Sequence, residues 1–273
     1  MSHSKTDRLA QLRDDLDQWR DQPELRAALA QDVAALPDDW PAHRIRARLA
    51  AMAIRADSRL RAQAADAQPA TDQVRLHATR HPYAGFFAVE DYSLSHPTHA
   101  GGQTPELPRS AIITGDAAVV VPYDAARDRV LLVEQFRTGP FARGDRSPWL
   151  LETVAGRIDP GETPAEAARR EAHEEAGLTL GDLVDLPAAY PSPGALTEYV
   201  YSFIGQADLP DDLPRLGGAT DEAEDIRLHL VDLPQAMAMI DGGAIRATPL
   251  IVALLMLWRD REAIRARFHP VRG

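Results

Sequence analysis

The sequence predicts an α+β fold: a mixed-sheet sandwich carrying helices, preceded by a helical N-terminal extension. Three observations predict it. Apolar residues recur every three or four positions up to about residue 66, the period of amphipathic helices. From residue 74 the pattern changes to short alternating or apolar runs bounded by turn residues, as strands require. A strongly capped helix at 164–176 then interrupts the strands.

The extension comes first. Leu9, Leu12, Leu16 and Trp19 share one helical spacing, Leu25, Leu29, Val33 and Leu36 a second, and Ile45, Leu49, Met52 and Leu60 a third. Pro23, Pro37 and Pro41 punctuate them. Three short helices bury little by themselves, so they are expected to pack on the rest of the chain or on a partner subunit. His43 and its neighbouring arginines read as a solvated face. The stretch "QAADAQPATDQ" reads as a linker, which gives an extension over 1–66, a linker over 67–73 and a second domain over 74–273.

The strands follow in order. "FFAVEDYSLSH" alternates as a half-buried strand does, and "AAVVVPYDAARDRVLLVEQFR" reads as two strands around a turn at Asp124–Arg129. "WLLETVAG" is a further strand. "AAYPSPGALTEYVYSFIGQA" holds a Pro/Gly turn and then a strand, and "DIRLHLVDL" is one more. "PQAMAMIDGG" and the stretch 248–266 are helical. Strands combined with the capped helix and a C-terminal helix make the sandwich.

Composition narrows the function. The chain has 273 residues, enough for one or two domains with a sizeable core. Its net charge of −11 argues against nucleic-acid and anionic-membrane binding, although bound metal ions can reverse that sign locally at a phosphate site. Cysteine is absent, which excludes disulfides, thiolate ligands and cysteine nucleophiles and fits a cytoplasmic protein. The N-terminus has no apolar signal region, and "PLIVALLMLW" is too short to span a bilayer.

The chemistry concentrates in "GRIDPGETPAEAARREAHEEAGL", Gly156 to Leu178. Thr163 is an N-cap, Pro164 suits the first helical position and Glu166 completes a capping box. Gly177 sits where a C′ glycine ends a helix. On that helix Glu171, Glu174 and Glu175 share one arc, with Ala165, Ala172 and Ala176 as a small apolar stripe beside them. His173 is given no role. An acidic arc reads either as a solvated face or as a site for a hard cation such as Mg²⁺ or Mn²⁺, which takes one or two carboxylates plus substrate phosphate oxygens.

The order of the residues resembles the Nudix box, G-x5-E-x7-R-E-U-x-E-E-x-G-U with U apolar. Gly156, Glu162, Arg170, Glu171, Ala172, Glu174, Glu175, Gly177 and Leu178 fill its positions in register. The resemblance implies the Nudix α/β/α sandwich and hydrolysis of a nucleoside diphosphate linked to another moiety, with Mg²⁺ or Mn²⁺. Other stretches resemble the family's ADP-ribose pyrophosphatase branch: "EQFR" at Glu134–Arg137, "PWLLETVAG", "YPSPG" with Pro193, "TDEAEDIRLHLV", and "YAGFF" with "PELPRSAIITG". Taken singly, each of these also fits an ordinary strand, edge residue or surface turn.

The resemblance further implies roles. The Ala155 carbonyl, Glu171 and Glu175 are expected to ligate metal, with Glu174 as a further or water-mediated ligand and Glu224 as an additional one. Arg170 is expected to orient the glutamates, and Glu162 to be structural. Glu222 in "GGATDEAED" matches the branch's general base, against the alternative of a solvated acidic loop. Arg109, Gln135, Arg137, Glu152, Pro193, Gly194 and Glu198 are expected to line the substrate site. Phe86 or Phe87 either stacks on adenine or packs in the core. One departure stands out: the branch often has an arginine where this chain has Pro108. The N-terminal strands exchange between subunits in such enzymes, so a homodimer is expected. Hydrolysis of ADP-ribose leads. Another nucleotide sugar such as GDP-mannose, or a non-catalytic nucleotide sensor, are the alternatives.

Overall fold

In the computed structural model the described residues are 9–37, 39–64, 73–85, 87–218 and 225–268. The linker expected over 67–73 lies, apart from Gln73, outside them. The chain divides into two compact units. One comprises residues 1–116 with 159–161 and 192–198, the other 117–158, 162–191 and 199–273.

In the first unit the helical spacings become α1 (Arg13–Leu16), continued by a tight turn to Trp19, then α2 (Pro23–Ala35), α3 (Ala42–Arg46) and α4 (Leu49–Ala64). Leu12, Leu25, Leu29, Val33, Ile45 and Leu49 form their common core, so the apolar period here is a packing signal. The third periodic run breaks into α3 and α4 around Arg48, whose Nε donates to the Ala84 carbonyl. Three antiparallel strands follow, β1 (Arg75–Ala84), β2 (Ala88–Ser95) and β3 (Leu107–Ile113), in that order across the sheet. Residues 192–198 attach to the end of β3: the Ile112 amide donates to the Ala195 carbonyl at 2.8 Å, and the Thr197 amide to the Ile112 carbonyl at 3.1 Å.

The second unit holds β4 (Ala117–Asp124), β5 (Arg129–Phe136), α5 (Thr138–Arg143), β6 (Trp149–Glu152), β7 (Val154–Arg157), α6 (Pro164–Ala176), β8 (Leu183–Ala189), β9 (Val200–Gln206), β10 (Leu216–Gly217), β11 (Ile226–Asp232), α7 (Leu233–Asp241), α8 (Thr248–Arg259) and α9 (Arg261–Phe268). The sheet runs β10-β11-β5-β4-β9-β8, with β6 beside β5 and β7 beside β4. Only the β4–β9 pair is parallel among the described strands, so the sheet is mixed. Strand alternation sends Leu131 and Val133 to one face and Val130 and Leu132 to the other. The first face packs under the alanines Ala167, Ala168, Ala172 and Ala176 of α6. The second packs under Leu250, Ala253, Leu254 and Leu257 of α8, and under Ile264 of α9. This is the α+β sandwich that the sequence predicts.

Several details differ from the sequence reading. "WLLETVAG" is two strands, because the chain changes partner from β5 to β4 at Thr153. Thr153 is 2% exposed, and its hydroxyl donates to the Val120 carbonyl at 2.6 Å, which fixes the crossover. The stretch 248–266 is two helices that part at Asp260. Helix α5 and strand β8 carried too little periodicity to be read from sequence. The pairing of β8 with β9 shifts between Leu186 and Ala189, where Pro187 removes a donor at the sheet edge. No helix among the described residues is long and apolar enough to cross a membrane.

Candidate active site

Helix α6 starts where its capping chemistry starts it. The Thr163 hydroxyl accepts from the Glu166 amide at 3.3 Å, and the Glu166 carboxylate accepts from the Thr163 amide at 2.9 Å. Gly177 ends the helix at φ 65°, a conformation that costs a side-chain-bearing residue. Between these caps the helix carries its acidic arc along the edge of its alanine face.

Strand β7 runs beneath that arc. Glu171 lies directly on Gly156: a Cβ at the glycine would come within 1.7 Å of Glu171 Oε1. Glu175 is 1% exposed, and its Oε2 accepts from the Ala155 amide at 3.3 Å. Two carboxylates of successive turns therefore converge on the two-residue segment Ala155–Gly156. Helix α6 is held at its other end by backbone, since the Gly218 amide donates to the Glu175 carbonyl at 3.1 Å. A Cβ at Gly217 would stand 1.9 Å from that same oxygen.

Arg170 organises the carboxylates. Its Nε and Nη2 reach Glu162 at 2.9 and 3.0 Å, and its Nη1 reaches Glu171 at 2.6 Å and Glu174 at 2.9 Å. Nη2 also donates to the Arg157 carbonyl at 3.0 Å, tying the helix to the end of β7. The hydrogen bonds to Glu162 and then to Glu171 raise the Arg170 pKa further above its ordinary value, so the guanidinium stays charged.

Beside the helix, the same sheet face carries Gln135, Arg137 and Glu152. Gln135 follows Val133 by two residues on β5, and Glu152 pairs directly with Val133, which puts both on the α6 face. Arg137 Nε donates to Glu152 Oε2 at 2.6 Å. Burial raises the Glu152 pKa, and Arg137 pulls it the other way. Gln135 is 7% exposed, and its Nε2 donor is buried without a hydrogen-bond partner. That is a costly arrangement for an amide, and it disposes of Gln135 as a surface residue.

The remaining expected residues belong to the first unit or lie outside the described residues. Arg109, on β3, is exposed and donates to the Pro108 carbonyl at 2.8 Å. Pro193 and Gly194 are exposed and Glu198 half-buried, all in the segment bonded to β3. Phe87 is exposed. Phe86, Glu222 and Glu224 lie outside the described residues.

The donor set suits a hard cation. Among the described residues no three acidic or histidine side chains gather closely enough to hold an ion by themselves. Mg²⁺ asks for less, because it keeps waters and is bound through one or two carboxylates plus substrate phosphate oxygens. Glu171 and Glu175, placed together on β7 with Glu174 beside them, meet that requirement.

Two contributors escaped the sequence reading. Thr153 separates the strand of Glu152 from that of Ala155, and Gly217 admits the Glu175 carbonyl. The consecutive glycines Gly217 and Gly218 were the available signal for the second. Nothing in the sequence marked the first.

The NUDIX domain family model matches residues 114–251. The chain belongs to the Nudix family. Within it, the ADP-ribose pyrophosphatase of Haemophilus influenzae is 36% identical over 177 residues, covering 64% of this chain and 81% of that one. The ADP-ribose pyrophosphatase of Escherichia coli K12 is 35% identical over 194 residues, covering 71% and 92%. The GDP-mannose pyrophosphatase of Citrobacter koseri is 34% identical over 157 residues, covering 58% and 81%. A crystal structure described as an ADP compounds hydrolase superposes with a TM-score of 0.55 at 22% identity, covering 71% of this chain and 96% of that one, which shows a shared Nudix fold.

Proposed function

We infer that this Nudix protein hydrolyses the pyrophosphate of ADP-ribose to AMP and ribose 5-phosphate, with Mg²⁺ or Mn²⁺ bound at the Nudix helix. The observation that carries the reading is the convergence of Glu171 and Glu175 on Ala155–Gly156, held by Arg170, in a chain about 35% identical to two ADP-ribose pyrophosphatases.

Each side chain then has a task. Glu171, Glu175 and the Ala155 carbonyl would hold the metal, with Glu174 and Glu224 as further ligands. When bound, the metal supplies charge neutralisation for the pyrophosphate and lowers the pKa of a coordinated water. Arg170 keeps Glu171 and Glu174 aimed through its hydrogen bonds to both. Glu162 fixes Arg170 in turn, which makes it a supporting partner one step removed from the metal. Gln135 offers its spare amide donor, and Arg137 and Glu152 a polar wall, to the nucleotide sugar. Arg109, Phe86, Pro193, Gly194 and Glu198 complete the substrate contacts. Glu222 accepts the proton of the attacking water, because carboxylates committed to a metal have their lone pairs occupied. We further propose a homodimer paired through the N-terminal strands, working in the cytoplasm.

GDP-mannose is the second reading, since GDP-mannose pyrophosphatases also align at 34% identity. Nucleotide diphosphate compounds supplied with Mg²⁺, with phosphate release read after phosphatase coupling, separate the two. The expected result is the highest kcat/KM on ADP-ribose. A preference for GDP-mannose selects the second reading, and inactivity on every compound removes both in favour of a sensor.

A further inference from the structure

The helical extension lies outside the residues matched by the family model, yet its side chains hold two points that lie inside that match. The first is Gly115–Asp116, immediately before β4. One face of α4 covers it: Ile54, Ser58 and Arg61, spaced by four and three residues, point the same way. A Cβ at Gly115 would come within 2.3 Å of Ile54 Cγ2, so the isoleucine rests on the glycine. The Ser58 hydroxyl donates to Asp116 Oδ1 at 2.5 Å, and Arg61 Nε to Asp116 Oδ2 at 2.8 Å. Arg61 is fixed from behind by Asp57, one helical turn earlier. The Asp116 side chain is 5% exposed, so both of its oxygens are satisfied from α4 and little water reaches them.

The second point is Gly161, within the Nudix box between Gly156 and Glu162. Gly161 has φ 84°, and a Cβ there would meet the Gln22 side-chain nitrogen at 2.8 Å. Gln22 stands just before α2. The extension therefore touches the box loop itself.

Both points lead within a residue or two into the metal-binding segment. Ala117, next after Asp116, pairs with Arg157, Ala118 with Gly156 and Val119 with Ala155. Arg157 in turn offers its carbonyl to Arg170. Glu162, next after Gly161, holds Arg170 from the other side.

We propose that Ser58, Arg61 and Gln22 are positioning residues for the metal site: by fixing Asp116 and Gly161 they set the register of β7 and the start of α6. This rests on the hydrolase reading above. The competing account is that these contacts merely stabilise the chain. The two differ in consequence. A stabilising contact changes the melting temperature, and a positioning contact changes metal affinity and kcat in a protein that is still folded. Second partners of metal ligands are worth about 10–100-fold in affinity or activity, and a contact one step further out is expected at the lower end of that range.

The test uses the full-length chain. Arg61→Met, Arg61→Lys, Ser58→Ala and a control, Arg59→Gln, are compared with wild type. Arg59 lies on the same helix but pairs with Asp32 at 2.8 Å instead of Asp116. Two readouts are taken: binding of Mn²⁺ alone by electron paramagnetic resonance, and kcat and KM on ADP-ribose. Arg61→Met is expected to weaken Mn²⁺ binding by about 10-fold and to lower kcat comparably, with KM changed less than about twofold. Arg61→Lys restores part of both, and Arg59→Gln changes neither. If Arg61→Met does not fold, Ser58→Ala carries the decision, with about a threefold loss of Mn²⁺ affinity expected. Variants that melt lower but bind Mn²⁺ and turn over as wild type overturn the proposal. A wild type that neither binds Mn²⁺ nor hydrolyses any nucleotide sugar overturns the hydrolase reading, and this one with it.

Discussion

Glu171 occupies the space where a side chain at Gly156 would be, with its Oε1 only 1.7 Å from the position of a built Cβ. The contact explains a glycine and a glutamate fifteen residues apart as one unit. Gly156→Ala is expected to push the carboxylate off β7. The flexible end of a glutamate moves easily, so the fold should survive with a small loss of melting temperature. Activity should fall at least about 10-fold, with a raised Mg²⁺ requirement, because the displaced group is a proposed ligand. Mg²⁺ titrations of kcat for both proteins check this, and a wild-type titration curve for the alanine variant would refute it.

Arg170 yields the second prediction. Its guanidinium serves Glu162, Glu171, Glu174 and the Arg157 carbonyl together, which a lysine point charge cannot do. Arg170→Lys should keep the helix, since both residues are good helix formers. It should lower kcat by about 10–100-fold, as expected for the partner that orients metal-binding groups. Circular dichroism tests the first half and steady-state kinetics the second. Activity within twofold of wild type would mean that the glutamates orient themselves.

How much of this was legible in the sequence depends on range. The start and stop of α6 are local chemistry, Thr163 with Glu166 and Gly177, and they could be read from neighbouring letters. The pairing of Gly156 with Glu171 was legible only as a pattern, because nothing in spacing says that a carboxylate lies on a glycine. Gln135 was ambiguous, since alternation along β5 tells which residues share a face but not which face is covered. Thr153 was invisible: a polar residue inside a strand-like stretch marks no boundary by itself, and the change of strand partner is decided by β4 and β5 instead. The contacts of Ser58 and Gln22 reach across 58 and 139 residues of sequence, and no local rule predicts them.

Glu152 supplies a dependence on pH. Burial raises its carboxyl pKa, with Arg137 opposing. A raised acid binds its proton more tightly in the folded than in the unfolded state. Its contribution to stability is therefore full below the ordinary glutamate value of 4.5 and is lost as pH rises through the elevated folded value. Glu152→Gln cannot titrate, so its melting temperature should fall less than that of wild type between pH 4.5 and neutrality. Melting curves at half-unit intervals measure the difference. Parallel profiles would show that Glu152 is not the group responsible.

The general base is the last prediction. Glu171, Glu174 and Glu175 are engaged with Arg170 or β7 and proposed for the metal, so their lone pairs are committed. A base has to come from another segment that can reach the water. "GGATDEAED" supplies carboxylates just before β11, and Glu222 among them is the proposed base. Glu222→Gln keeps size and polarity and removes only the basic oxygen. It should therefore leave KM and Mn²⁺ affinity nearly unchanged and lower kcat by about 10²–10⁴, the usual worth of general-base catalysis. Glu224→Gln should instead raise the metal requirement, because its proposed role is as a ligand. The two variants thus exchange signatures, one losing turnover at saturating metal and the other recovering with added metal. Near wild-type hydrolysis of ADP-ribose by Glu222→Gln from pH 6 to 9 would move the base elsewhere, with Glu174, the most exposed of the three box glutamates on the helical arc, next in line.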